Sequence, residues 1–440
     1  MQGEKAMKRV ANLISLAVFG MGSLFAEANL NSKESNPLEM GWMQGFPPEK
    51  DKTLSASDGS FFNFPALRYS VNHMREFYPT RAVPAAKENY YTFKTKIDNG
   101  IDNVQFIPWG EDKPITWQES LDRNYTDGII VLHKGKIVYE AYPAGLTQDG
   151  IHSAMSVSKS FTGMLASILI AEGTINPQKL VTDYIPELKG SGFEGATVQQ
   201  VLDMTTAIQY SEDYNDPNAE IWKYSASGDI FRPANYKGPE NYYEYLKTVK
   251  KIPGQEHGEV FGYKTINTEL MGWIISRVTG KSITELISEK IWVPMGAKYD
   301  GFYQLGTAGI AFAGGGFSLN LRDMAVFGEL VRNHGKLRGK QIIPESATVD
   351  VSKGGSQDAF SKSGEYPLLK NWSYHNMWWI TNNEHGAFMA RGVHGQAIYI
   401  DPKAEMVIVR FASNPLASNK YIDPISIPAY EAVADYLMNK

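Results

Sequence analysis

The chain contains no cysteine among its 440 residues. Disulfides, zinc sites built on thiolates and a thiol nucleophile are therefore excluded. A His-Glu-x-x-His pair is also absent, and the eight histidines are scattered singly. The sequence consequently predicts neither a metal site nor a cofactor.

An excess of positive charge is missing as well. The formal net charge is −5, and no basic block is interleaved with aromatic residues. This balance argues against a nucleic-acid partner. The sequence does not indicate an oligomeric state.

Long apolar runs are confined to the N-terminal stretch. KAMKR at 5–9 is basic, VANLISLAVFGMGSLF at 10–25 is apolar, and AEA at 26–28 offers the small residues that a signal peptidase recognises. This pattern predicts a signal peptide over 1–28 and a periplasmic or secreted mature chain. Because no later run is long enough to cross a bilayer, we expect no stable membrane span after cleavage.

The most informative pattern that is present is SVSK at 156–159, where alone in the chain a serine precedes a lysine by three residues. The apolar spacing of the following residues, up to Gly173, predicts a helix. Positions i and i+3 share a helix face, so the Lys159 ammonium can reach the Ser156 oxygen and help to remove its proton. A helix start with a solvated lysine is the alternative interpretation.

The order of elements predicts an α+β fold. GIIVLH and KIVYEAY, joined by Lys134-Gly135, predict one hairpin; QAIYI and MVIVRFA, joined by Asp401-Pro402, predict another, followed by a closing helix. Helical patterns dominate about 185–305. We expect an antiparallel sheet assembled from both ends of the chain and flanked by helices, with an inserted helical lobe in a body at 111–440. Residues 29–110 lack periodicity and are expected to form an arm packed on that body.

Tyr263 is a second candidate for chemistry. It precedes the long helical pattern TINTELMGWIISRVTG, and a helix N-terminus favours an oxyanion. A tyrosinate there, or a tyrosine that passes its proton to Lys159, would serve as general base and later as acid. With 24 tyrosines in the chain, a packed aromatic is the alternative.

Four ordered blocks resemble the penicillin-recognising serine hydrolases, the family of class C β-lactamases, DD-peptidases and related esterases. The blocks are MSVSKS at 155–160, FGY at 261–263, AGGG at 313–316 and GVHGQ at 392–396. Within that family, YSEDY at 210–214 and the WW pair at 378–379 most resemble the amidases that hydrolyse nylon oligomers. The resemblance implies a β-lactamase/DD-peptidase-like fold.

The resemblance also implies roles for individual residues. Ser156 would be the nucleophile, with Lys159 and Tyr263 as proton-transfer partners, and the backbone N–H groups of Ser156 and Val393 would form the oxyanion hole. Three side chains would bind substrate or line its pocket: Tyr214 on a mobile loop, Trp379 and His394. For His394 a structural role is favoured over a Ser-His-Asp arrangement, since the chain has no Gly-x-Ser-x-Gly elbow.

Two departures from class C β-lactamases bear on the substrate. Thr265 stands where those enzymes carry Asn, and Ala390-Arg391-Gly392 replaces their Lys-Thr-Gly. The missing lysine removes the cation expected to hold a β-lactam carboxylate. We therefore expect an exported serine hydrolase of carboxylic esters and small linear amides that forms an acyl-enzyme on Ser156. A β-lactamase or DD-peptidase acting on cell-wall peptides, and a non-catalytic periplasmic binding protein with this fold, are the alternatives.

Overall fold

The computed structural model describes residues 30–214, 216–232 and 234–440. The predicted signal peptide at 1–28 lies outside the described residues. The strands, numbered along the chain, are β1 Thr80–Val83, β2 Lys94–Thr95, β3 Gln105–Phe106, β4 Ile115–Thr116, β5 Thr126–His133, β6 Lys136–Ala141, β7 Ile151–Ser153, β8 Gly301–Gln304, β9 Phe317–Asn320, β10 Lys336–Leu337, β11 Lys340–Gln341, β12 Ser373–His375, β13 Trp378–Ile380, β14 Phe388–Gly392, β15 Gln396–Asp401 and β16 Met406–Ala412.

The α-helices follow the same convention. They are α1 Pro37–Met40, α2 Leu67–Ser70, α3 Trp117–Arg123, α4 Val157–Ala171, α5 Val181–Tyr184, α6 Val198–Leu202, α7 Glu220–Gly228, α8 Tyr242–Leu246, α9 Thr265–Thr279, α10 Ile283–Ile287, α11 Val293–Met295, α12 Leu321–Arg332, α13 Glu345–Lys353, α14 Gln357–Lys362 and α15 Asp423–Met438. Within the described ranges, no helix is long and apolar enough to cross a membrane.

The main sheet joins both ends of the chain, as predicted. Its order within the described residues is β12-β13-β14-β15-β16-β5-β6-β2, and the late strand β16 pairs antiparallel with the early strand β5. Both predicted hairpins are confirmed. In the first, Lys134 and Gly135 have φ of 51° and 70°, the paired positive values that a two-residue hairpin turn requires. The closing helix is also confirmed, as α15.

A smaller sheet carries the chain into the helix of Ser156. Its order within the described residues is β1-β8-β9-β7, and β7 leads directly to α4. The described part of the predicted arm, residues 30–110, also contributes strands to both sheets. Strand β1 pairs with β8, and β2 pairs parallel with β6 at the edge of the main sheet. Such short strands gain their partners from distant segments, so their sequence carries no periodic signal.

Helix α4 is the centre of the core. Its residues from Val157 to Leu169 are all buried, polar ones included, so every face of the helix packs against the protein. Phe161 stacks on Phe327 of α12 with ring centroids 4.0 Å apart and meets Phe317 of β9 edge-on at 5.0 Å. Within the described part of 185–305, the regular elements are helices apart from β8, and the bounds of the helical lobe stay a prediction. The core thus fixes α4 between the sheets and this helical region.

Candidate active site

Ser156 lies at the N-cap of α4, after a sharp turn that leaves β7. The turn depends on Met155, whose φ of 47° is uncommon for a residue other than glycine. A serine at an N-cap ordinarily accepts a backbone N–H of its own helix, but Ser156 makes no such bond. Its oxygen is instead available to other partners.

The Lys159 ammonium is one of those partners. Its Nζ lies 3.0 Å from Ser156 Oγ and 2.7 Å from the carbonyl oxygen of Gly314. The predicted contact within the Ser-x-x-Lys pair is therefore present, and the solvated-lysine alternative is excluded because Lys159 is only 1% exposed. Burial lowers the pKa of Lys159 from 10.5 to about 8, while the charges of Glu212 and Glu269 act in the opposite direction.

The Tyr263 hydroxyl also faces Ser156. Burial raises the pKa of Tyr263 well above 10, the Glu212 charge raises it further, and Ser156 and Arg391 lower it. The Tyr263 ring centroid lies 5.1 Å from Lys159 Nζ. The structure thus brings together the three residues that the sequence selected, and it keeps the tyrosine protonated at neutral pH.

The anion at the start of α9 is a glutamate rather than a tyrosinate. Lys264, the N-cap residue, makes no side-chain capping bond. The Glu212 carboxylate takes that role: it accepts from the backbone N–H of Thr265 and, at 2.7 Å, from Thr265 Oγ1. Because this carboxylate already occupies the positive end of the helix dipole, the predicted stabilisation of a Tyr263 oxyanion there does not occur.

Tyr214 is held beside the same carboxylate. Its hydroxyl donates to Glu212 Oε1 at 3.1 Å, and its ring meets Trp222 edge-on at 6.1 Å. Burial raises the pKa of Tyr214 well above its ordinary value, and nearby Glu212 and Tyr263 add to the rise. The loop therefore places Tyr214 beside Glu212 and near Tyr263.

A glycine lets strand β14 approach the turn before Ser156. A Cβ on Gly392 would lie 2.7 Å from the carbonyl oxygen of Ala154, closer than real side chains allow, so only glycine fits here. Val393 begins the 3₁₀ turn that follows β14. The predicted pairing of a helix-start N–H at Ser156 with a strand-edge N–H at Val393 is consistent with this approach.

The two tryptophans of β13 point to opposite faces, as their positions in a strand require. Trp378 packs on Phe388 in the core, with centroids 5.6 Å apart. Trp379 faces the site, where its ring lies 5.3 Å from that of Tyr263. It thus forms a wall of the site, and its contact with substrate stays a prediction.

His394 is held by the backbone. Its Nδ1 lies 2.7 Å from the Asn414 carbonyl oxygen, and its ring meets Phe62 of the N-terminal arm at 5.5 Å. Burial lowers the pKa of His394 to about 4, so the ring is neutral at physiological pH. These contacts agree with the structural role that the sequence favoured, while its place among the substrate-binding residues stays untested.

Arg391 stands where class C β-lactamases carry the threonine of Lys-Thr-Gly, and its guanidinium pairs with Asp423. Its Nη2 contacts both carboxylate oxygens of Asp423, at 2.5 and 2.6 Å. The guanidinium also lies over the Trp379 ring, 4.5 Å from its centroid. Arg391 therefore packs on the ring of Trp379 and helps to hold it in place.

The sequence patterns did not identify two carboxylates whose charges act on Lys159, those of Glu212 and Glu269. Glu212 lies within the block that carries the family resemblance, two residues before Tyr214. Glu269 is the single charged residue in the apolar stretch from 266 to 275, and this isolation is a signal that could have identified it. Within the described residues, no group of three or more potential ligands is arranged to hold a metal ion.

Comparison with known proteins agrees with this geometry. Residues 123–421 match the Beta-lactamase family. The chain belongs to that family. It is 37% identical over 298 residues to the 6-aminohexanoate-dimer hydrolase of Paenarthrobacter ureafaciens, covering 68% of this chain and 75% of that enzyme. The protein is therefore a serine hydrolase with the β-lactamase/DD-peptidase-like fold.

Solved structures extend the comparison. A Bacillus anthracis protein that provisionally carries the same name aligns with a TM-score of 0.77 and 35% identity, over 86% of this chain and 96% of that one. A D-stereospecific amidohydrolase from Streptomyces aligns with a TM-score of 0.52 and 16% identity, over 70% and 96% of the two chains. The second similarity concerns the fold alone.

Proposed function

We propose that this serine hydrolase cleaves carboxylic esters and small linear amides through an acyl-enzyme on Ser156. The observation that carries the proposal is the buried contact of 3.0 Å between Lys159 Nζ and Ser156 Oγ. The name of the Paenarthrobacter ureafaciens relative supports a linear amide as substrate.

The assigned roles follow from the charge of each group. The uncharged form of Lys159 accepts the Ser156 proton while Oγ bonds to the carbonyl carbon of the substrate. The N–H groups of Ser156 and Val393 stabilise the oxyanion. Tyr263 is protonated, so it donates its proton to the leaving oxygen or nitrogen and regains one from Lys159. Water then releases the acid by the reverse proton path.

A β-lactam is disfavoured as substrate because Ala390 of β14 stands where the related lactamases carry a lysine. The lysine that would hold a β-lactam carboxylate in the related lactamases is absent, and Arg391 is paired with Asp423. We also propose that the chain is exported, on the pattern of residues 1–28. Fractionation of expressing cells, with the protein expected in the periplasm or the medium, tests export.

The decisive experiment compares Ser156→Ala with Ser167→Ala. Ser167 lies on the same helix, is 3% exposed, and its hydroxyl has no hydrogen-bond partner within the described residues. We expect Ser156→Ala to abolish hydrolysis of p-nitrophenyl acetate and of 6-aminohexanoate dimer, and Ser167→Ala to retain both, with nitrocefin poorly cleaved throughout. Equal ester and amide hydrolysis by Ser156→Ala and the parent would contradict the proposal.

A further inference from the structure

The carboxyl group of Glu269 is buried beside Gly314, the residue whose carbonyl oxygen accepts a hydrogen bond from Lys159. Glu269 is 1% exposed on helix α9, and its Oε1 accepts the backbone N–H of Gly314 at 2.7 Å. The carbonyl oxygen of the same glycine accepts from Lys159 Nζ, also at 2.7 Å. One glycine therefore connects the carboxyl group to the ammonium.

Packing leaves that glycine little freedom to move. A Cβ at Gly314 would lie 2.5 Å from Thr265 Cγ2 and 3.2 Å from Glu269 Oε1. Thr265 and Glu269 are one helical turn apart on the same face of α9. This face holds Gly314 against helix α4, so the position of its carbonyl oxygen depends on α9.

Lys159 is the cation whose charge lowers the pKa of Glu269. Among the described residues, Glu269 makes no ion pair, and a buried carboxylate is costly unless charge or hydrogen bonds compensate it. Burial raises the pKa of Glu269 to about 7. The Gly314 N–H, the Tyr224 hydroxyl and the Lys159 charge act in the opposite direction and lower this pKa. The second carboxylate near Lys159 is Glu212.

The other titratable groups that face Glu269 are tyrosines from the surrounding elements. Burial raises the pKa of each one, so that all stay protonated and neutral: Tyr210, Tyr224, Tyr242, Tyr243 and Tyr303. The electrostatic influence on Lys159 from this side of the site therefore comes from Glu269.

We propose that Glu269 is a positioning residue for Lys159: it holds Gly314, whose carbonyl oxygen orients the ammonium, and its negative charge favours the protonated form of the lysine. The catalytic consequence rests on the proposed function, since only uncharged Lys159 accepts the Ser156 proton. Glu269 thereby raises the pH above which the nucleophile becomes active, in the same direction as Glu212 and opposed to burial.

Removing the carboxylate removes a stabilising charge from the ammonium, so Lys159 loses its proton at a lower pH. Glu269→Gln retains an oxygen for the Gly314 N–H and removes only the charge. Glu269→Leu removes both, so it also releases the glycine that orients Lys159.

The first measurement needs no activity. Lysine side chains labelled with carbon-13 at Cε are titrated by NMR, and the Lys159 signal is assigned by its loss in Lys159→Ala. We expect the Lys159 midpoint to be about one pH unit lower in Glu269→Gln than in the parent. The matched control is Glu329→Gln, which neutralises another buried glutamate that is paired with Arg332; it should leave the midpoint unchanged.

The second measurement is the pH profile of kcat/KM for p-nitrophenyl acetate. Glu269→Gln should move the acidic limb in the same direction and by the same amount, with the plateau retained. Glu269→Leu should lower the plateau as well. An unchanged Lys159 midpoint in Glu269→Gln would overturn the proposal whatever the activity. A shifted midpoint in a protein that hydrolyses neither ester nor amide would instead support the role of Glu269 and contradict the proposed function.

Discussion

At the scale of single residues, burial determines how each member of the site holds its proton. Lys159 has no carboxylate within ion-pair distance among the described residues, and its pKa falls to about 8, which places the loss of its proton near physiological pH. The pKa of Tyr263 is instead raised by burial, so Tyr263 stays protonated. Lys159 is consequently suited to accept a proton and Tyr263 to donate one.

Tyr214 is expected to distinguish amides from esters. An amide nitrogen leaves poorly unless it is oriented and protonated, whereas an activated ester needs little help. Tyr214→Phe should therefore lower the kcat/KM for 6-aminohexanoate dimer by about ten- to thousandfold, the range of one transition-state hydrogen bond or proton transfer, and affect p-nitrophenyl acetate much less.

The matched control for that substitution is Tyr210→Phe. Its hydroxyl is buried four residues earlier and has no hydrogen-bond partner within the described residues, so its removal should leave the ratio of the two activities unchanged. If Tyr214→Phe reduced ester and amide hydrolysis by the same factor, Tyr214 would have no amide-specific role.

At the scale of elements, helix α9 connects the loop of Tyr214 to the catalytic centre. The helix lacks a cap from its own N-cap residue and receives one from Glu212, which also accepts the Tyr214 hydroxyl. Tyr263 lies two residues before the helix begins. The loop and the helix start are therefore held by a single carboxylate.

Loss of the Glu212 cap should affect both stability and activity. Glu212→Ala leaves the Thr265 N–H without its acceptor, and we expect about 1–2 kcal/mol less stability together with lower ester and amide hydrolysis, because Tyr263 loses its support. Glu212→Gln keeps an oxygen acceptor and should recover most of the stability. Urea unfolding and kcat/KM for both substrates measure the two effects; equal stability of Glu212→Ala and the parent would contradict the capping role.

At the scale of the whole molecule, the N-terminal arm is part of the folded body. Arg68 of the arm is fully buried and contacts Asp127 of the main sheet at 3.2 Å and Ser413 Oγ at 3.0 Å. Asp127 in turn contacts His152 of β7 at 3.2 Å. Apolar residues of the arm also form a cluster with Met155, the residue before Ser156.

Removing the buried guanidinium should destabilise the protein strongly. Arg68→Met leaves Asp127 buried beside an apolar side chain, and breaking such a pair costs about 3–5 kcal/mol. Arg123→Met breaks a solvent-accessible pair with Glu111 and serves as the control, with a much smaller expected loss of stability because water screens the pair. Urea unfolding followed by tryptophan fluorescence compares them, and similar losses in the two variants would show that Arg68 does not anchor the arm.

Local patterns were sufficient to predict much of this molecule. The spacing of Ser156 and Lys159 predicted their contact because three residues span nearly one helical turn. Both hairpins and the closing helix were also readable, since their apolar periodicity and turn residues lie within short segments. The resemblance of four ordered blocks added the fold and selected Tyr263 among the many tyrosines.

Long-range packing accounts for what could not be predicted. Glu212 caps a helix that begins 53 residues later, and Glu269 reaches Lys159 through Gly314. Both contacts form between segments that are distant in the sequence, so local periodicity cannot predict them. For the same reason the sequence allowed a Tyr263 oxyanion at the start of α9 as one of two possibilities, although a carboxylate from another loop occupies that position. A chain can encode which residue types a helix or hairpin needs within a few positions, but the charge environment of a buried lysine depends on every segment that folds around it.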